Sequence, residues 1–161
     1  FFLMIRRPPR STLFPYPTLF RSIRISPVTP ANDVSDSNPQ PLFDYIVDHL
    51  NALKLTYIHV IEGATGGPRD NAPFDYASLR KRFKQAYIAN NGYDFALAEK
   101  VLEAGAADLI AFGKPFISNP DLVERLKAGA PLNEWDKATF YGGGAKGYTD
   151  YPTLKATEAA E

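Results

Sequence analysis

Two short turns in this sequence carry residue types that can hold an anion. Asn91 and Gly92 follow the run Ala86 to Ala89, and Gly113 and Lys114 follow the run Asp108 to Phe112. Glycine lets backbone N–H groups approach an oxygen closely and a lysine adds a point charge, so each turn suits a phosphate. Taken alone, each reads better as a plain turn ending a helix or strand, and joint placement at one end of a fold brings a shared phosphate close to level with that reading. Arg24, in IRISP (Ile23 to Pro27), reads on its own as a surface charge at a strand end. The two histidines suggest packing: His59 lies inside LTYIHVI, His49 follows Asp48, and no pair has metal-ligand spacing. No nucleophilic triad is visible. The chain has no cysteine, which excludes thiolate ligands, a cysteine nucleophile and a disulfide framework, and is compatible with a reducing, cytoplasmic setting.

The elements that must position these residues follow from periodicity. A strand is expected at Ile23 to Ile25, stopped by Ser26 and Pro27. A helix follows, with Asn38 as N-cap and Pro39 at the first position, and with Leu42, Phe43, Ile46, Val47, Leu50 and Leu53 as one apolar stripe. Leu55 to Ile61 reads as a buried strand broken by Gly63, Gly66, Gly67 and Pro68. Then come a basic helix at Tyr76 to Phe83, a strand at Ala86 to Ala89 and a helix at Phe95 to Ala104, capped by Asp94 and stopped by Gly105. The last unit is a buried strand at Asp108 to Phe112, a loop at Gly113 to Ser118 and a helix at Pro120 to Ala128, capped by Asn119 and ended by Gly129. Trp135, Tyr148 and Tyr151 are expected to pack. Four strand-then-helix units with apolar strands argue for parallel pairing, as a doubly wound sheet or part of a (β/α)8 barrel. A barrel places ligands at the C-terminal ends of its strands, where both glycine turns would lie, and a complete barrel needs about 200 residues or more.

With 161 residues, 45% of them hydrophobic and 22% charged, the composition is that of a single soluble domain. Eighteen basic residues balance eighteen acidic ones, so no electrostatic footprint points to nucleic acid or an anionic membrane surface. No apolar run reaches the roughly 18 residues that span a bilayer. Residues 1–22 stand apart: this stretch has four prolines and no sustained period, resembles a translated adapter sequence, and is expected to be non-native. The Arg6, Arg7, Pro8, Pro9 cluster breaks the apolar core a signal peptide would need.

Five ordered stretches carry a family resemblance: IRISP, YIHVIEGATGG (Tyr57 to Gly67), ANNGYD (Ala89 to Asp94), DLIAFGKPFISNPDLVERL (Asp108 to Leu126) and FYGGGAKGYTDYPTL (Phe140 to Leu154). Together they resemble the C-terminal half of Old Yellow Enzyme-type alkene reductases, including N-ethylmaleimide reductases. The resemblance implies that residues 23–154 are strands five to eight of an FMN-binding (β/α)8 TIM barrel, followed by a polar tail, 155–161. It also implies that the chain is a truncated form. Arg24 would lie against the pyrimidine edge of FMN, stabilising the negative charge of the reduced flavin. Asn91, Gly92, Gly113 and Lys114 would hold the FMN phosphate, Lys114 standing where most relatives have an arginine and so losing the bidentate fork. Tyr141 matches an aromatic position beside the substrate, with a packed tyrosine as the alternative.

The activity implied is reduction of FMN by NADPH or NADH, then hydride transfer from flavin N5 to an activated alkene. The catalytic acid and the donors that hold the activating group belong to the family's first four strands, so no catalytic residue is assigned here. Two other readings stay open. One is a non-enzymatic half-barrel that binds FMN or another phosphate-containing ligand, with exposed edge strands that favour a homo-oligomer. The other is a doubly wound binding domain unrelated to flavin.

Overall fold

The computed structural model describes residues 22–31, 35–142 and 144–155. The segment expected to be non-native falls outside these residues except for Ser22, as does most of the polar tail. The chain divides into two compact units, Phe1–Ala111 and Phe112–Glu161.

The first unit is a four-stranded parallel sheet with strand order β1-β2-β3-β4: β1 Ser22–Ile25, β2 Tyr57–Ile61, β3 Ala86–Asn90 and β4 Leu109–Ala111. Its helices are α1 Pro39–Ala52, α2 Tyr76–Arg82 and α3 Phe95–Glu103, one per connection. Parallel crossovers are right-handed in nearly all cases. Because each step here moves the same way across the sheet, right-handed connections put all three helices on one face. A doubly wound sheet needs a point where the strand order reverses. None occurs among these four strands, which removes the doubly wound alternative.

Burial follows the same geometry. Ile58, Val60, Tyr87 and Ala89 are fully buried, as are Val47 of α1 and Leu79 of α2. Each large apolar side chain among them contributes about 1.5–3 kcal/mol. The residues between them point to the other face and stay partly open: Tyr57 and His59 in β2, Ala86 and Ile88 in β3. The buried strand expected at Leu55 to Ile61 thus alternates between buried and partly open residues from Tyr57 to Val60 and ends on buried Ile61. β4 departs furthest, with Leu109 52% exposed, because this short strand pairs on one side only among the described residues.

Caps decide the helix ends. The Asp75 and Asp94 carboxylates accept from the N–H groups of Ser78 and Leu97, closing the first turns of α2 and α3. Asn38 stands at the α1 cap but makes no side-chain capping bond; its own N–H donates to Asp36 instead. The α1 stripe is narrower than its spacing suggests, since Val47 and Leu50 are buried while Leu42 and Leu53 are exposed.

The second unit holds α4 Lys114–Ser118, α5 Leu122–Ala128 and a single 3-10 turn at Lys137–Thr139. The loop expected at Gly113 to Ser118 is thus a short helix, for which Pro115 supplies a preset φ in the first turn. The α5 helix starts at Leu122 with Asp121 at its cap position, so Asn119 is not the cap. Asn119 is fully buried and used elsewhere: it donates to the Pro115 carbonyl and accepts from the Asn133 N–H. Gly129 ends α5 in the left-handed region, as expected. Buried Arg125 ties the unit together, donating to Asp121 and to the carbonyls of Pro131 and Pro152. Among the described residues no helix is long and apolar enough to cross a membrane.

Candidate functional site

The β3–α3 turn is the most tightly constrained of the candidate elements. Asn91 has φ +97°, a left-handed conformation that asparagine tolerates better than most residues, and Gly92 follows at φ +66°. The Asn91 side chain is buried and faces inward. Its Nδ2 donates to the carbonyls of Glu62 and Ala64 at 2.7 and 2.9 Å, and its Oδ1 accepts from the Gly66 N–H at 3.1 Å. Asn91 therefore meets any ligand through backbone rather than carboxamide. Gly92 is exposed, and its N–H donates to no described residue.

The loop after β2 lies against this turn. Gly63 has φ +81°, and a methyl there would overlap the Pro68 carbonyl and the Arg69 backbone, so only glycine lets the loop close on itself. At its start Glu62 is 6% exposed. Its carboxylate accepts from Arg69 at 2.5 Å, from the Tyr93 hydroxyl at 2.7 Å and from the Tyr87 hydroxyl at 3.1 Å. Burial, and then the neighbouring carboxylate, push the phenols of Tyr87 and Tyr93 well above the usual tyrosine value, so both stay protonated donors. The Arg69 guanidinium also lies over the Tyr93 ring, 4.2 Å from its centre.

None of Glu62, Arg69, Tyr87 and Tyr93 was singled out from the sequence. The signal available was an acidic residue closing an apolar strand and followed at once by glycine, a position where an unpaired carboxylate would be costly.

On the open face of the sheet, Arg24 stands in register with His59, and His59 with Ile88. The Arg24 side chain is exposed and makes no hydrogen bond or ion pair among the described residues. His59 is half-buried and its Nε2 is buried without a partner among the described residues. Burial, reinforced by the Arg24 charge, lowers its pKa and keeps the ring neutral. His49 is exposed on α1, with Nδ1 2.9 Å from the Tyr45 carbonyl and the two rings 4.0 Å apart, a local packing role.

In the second unit Gly113 is exposed, and no atom comes within 4 Å of where a Cβ would stand. Lys114 is exposed, with Nζ 5.8 Å from the centre of the Trp135 ring, near the outer limit of a cation–π contact. Trp135 and Tyr148 are about half exposed rather than packed. Tyr141 is fully exposed, which removes its reading as a packed tyrosine. Among the described residues no cluster of histidine, aspartate and glutamate could hold a metal ion.

Residues 20–133 match the family model described as the NADH:flavin oxidoreductase / NADH oxidase family. The chain is 40% identical over 132 residues to a protein of Leishmania infantum named "Probable flavin mononucleotide-dependent alkene reductase", covering 82% of this chain and 35% of that one. It is 36% identical over 138 residues to 12-oxophytodienoate reductase 2 of Arabidopsis thaliana, covering 84% and 37%. The structure of the old yellow enzyme from Trypanosoma cruzi superposes with a TM-score of 0.77 at 37% identity, over 83% of this chain and 35% of that one. The chain thus spans just over a third of the length of these relatives. Its four parallel strands, with helices on one face, are part of a (β/α)8 barrel. By its sequence match and by its fold, the chain belongs to the NADH:flavin oxidoreductase / NADH oxidase family.

Proposed function

We propose that this chain is the C-terminal half of an FMN-dependent alkene reductase and carries the phosphate and pyrimidine side of its flavin site. The observation that carries the reading is Arg24: a strand guanidinium, exposed on the open sheet face and committed to no described partner. The chemistry of the donor set fits a flavin nucleotide. Arg24 supplies a positive charge for the pyrimidine edge, where reduced flavin gathers negative charge. Among the described residues Gly92 offers an unpaired N–H, Gly113 an unobstructed backbone, and Lys114 an exposed ammonium, each suited to phosphate oxygens. Asn91 contributes through its backbone, and exposed Tyr141 offers an aromatic surface to a substrate.

When bound, FMN supplies hydride transfer to an activated alkene, with NADPH or NADH as reductant. The residues of this chain bind and orient; no catalytic acid is assigned among them. The balance of eighteen basic and eighteen acidic residues supports a small-molecule partner rather than a polyanion, in a cytoplasmic setting.

The test is titration of the chain with FMN, and in parallel with riboflavin, which lacks the phosphate, following flavin fluorescence. Saturable binding with a preference for FMN is expected. Arg24→Ala should weaken both flavins about tenfold or more, and Lys114→Ala should weaken FMN alone, the scale of one charge-assisted hydrogen bond. A folded chain that binds FMN no better than riboflavin would refute the phosphate assignment.

A further inference from the structure

The Asn91-Gly92 turn is bound to the loop after β2 on both sides of the glycine. On one side, the Asn91 carboxamide has two N–H donors and one acceptor oxygen, and the loop takes both kinds: carbonyls of Glu62 and Ala64 accept, and the Gly66 N–H donates. On the other side, buried Tyr93 is fixed through its hydroxyl, which donates to Glu62 and accepts from Arg69 at 2.8 Å, and through its ring beneath the Arg69 guanidinium. The backbone adds a third tie, the Glu62 N–H donating to the Asn90 carbonyl at 3.0 Å. Gly92 sits between these anchors. The nearest atoms to the place its Cβ would take are Arg69 Cδ and Cγ, at 3.4 and 3.5 Å, so the arginine stem lies along the glycine. The Arg69 charge is already paired with Glu62, which leaves this arginine a geometric role at the turn.

We propose that Asn91, Glu62, Arg69 and Tyr93 are positioning residues that fix the Gly92 N–H for the phosphate of a flavin nucleotide without touching that phosphate themselves. The proposal rests on the reading of the Asn91-Gly92 turn as a phosphate turn. A glycine left to itself samples both signs of φ, and fixing it on binding costs affinity. Held in advance at φ +66° by ties on either side, it presents its N–H with that cost already met.

The experiment compares wild type, Arg69→Met and Tyr93→Phe for affinity towards FMN and towards riboflavin, alongside hydrogen exchange of the unliganded chains. Arg69→Met keeps most of the stem and removes the fork, while Tyr93→Phe keeps the ring and removes only the hydroxyl. Each variant should lose roughly tenfold or more of the preference for FMN, the scale at which outer partners of a ligand-holding group act. Riboflavin affinity should stay within about twofold. Exchange should quicken together in residues 62–69 and 90–93, which a purely electrostatic role of Arg69 would not produce. Variants that melt with wild type and keep both the FMN preference and slow exchange overturn the positioning role. If Arg69→Met fails to fold, Tyr93→Phe decides. A wild-type chain with no preference for FMN overturns the phosphate reading itself and this proposal with it. The two failures are distinct, because the first shows in the variants and the second in the wild type.

Discussion

Replacing Asn91 tests how the fold holds its best-defined turn. Asn91→Ala strands two groups at once, the buried Glu62 carbonyl and the partly buried Gly66 N–H, while the Ala64 carbonyl keeps its bond from the Gly67 N–H. Leaving the buried carbonyl unpaired costs about 1–3 kcal/mol, and the Gly66 N–H, which regains some water, adds about 0.5–1 kcal/mol. At φ +97° alanine adds about 1 kcal/mol of left-handed strain. The sum, about 2.5–5 kcal/mol, is a large share of the 5–15 kcal/mol that typically holds a domain together. Asn91→Gly loses the same bonds without the strain and should be milder by about 1 kcal/mol. Urea unfolding followed by far-UV circular dichroism measures both. Asn91→Ala within about 0.5 kcal/mol of wild type would refute the assignment of those bonds to stability. Equal effects of the two variants would refute the strain term.

Three further outcomes follow from the same geometry. Gly63→Ala should cost about 3 kcal/mol or more, since its methyl meets backbone at positive φ; Gly67→Ala, whose nearest neighbour is the Ala64 side chain at 3.2 Å, should stay within about 1 kcal/mol. Denaturation midpoints compare the two, and equal effects would contradict the overlap. His59 is held neutral by burial and by Arg24, so its folded pKa lies below the ordinary 6.5. As pH falls the unfolded chain takes up the proton first; stability is therefore full above about 6.5 and declines through that value towards the folded pKa. His59→Leu should flatten this decline in denaturation curves taken between about pH 8 and pH 5, and an unchanged slope would assign it to other groups. Lys114→Arg restores a bidentate fork and should tighten FMN relative to riboflavin by roughly threefold or more in the same fluorescence titration. Unchanged or weaker binding would mean that the side chain does not reach the phosphate.

How much of this was legible in the sequence depends on the range of the interaction involved. The strand-helix alternation, the Asp94 cap and the Gly129 stop were readable because each is set within a few residues, by periodicity or by a carboxylate three positions from its N–H. Asn119 shows where this fails. Its position before Pro120 suits a cap, but the Asn133 N–H reaches it from fourteen residues away, and a buried amide goes to the partner that removes it from water most completely. The burial of β4 was overestimated for a similar reason: DLIAF is apolar in any setting, and whether Leu109 is covered depends on what lies beyond the sheet edge.

The same distinction separates the two kinds of residue at the candidate site. Groups that would touch a ligand, such as Arg24, Gly92 and Lys114, were visible as residue types in turns and at a strand end. Those that hold the turn were not, because their meaning is pairwise: Glu62 in isolation is a charge at a strand end, and Tyr93 an aromatic after a turn. Only the folded chain shows that one carboxylate gathers Arg69, Tyr87 and Tyr93 from separate segments. That cluster ties Arg69, in the loop after β2, to Tyr93, the residue next to Gly92. A substitution of Arg69 should therefore register at Gly92, although it lies 23 positions earlier in the chain.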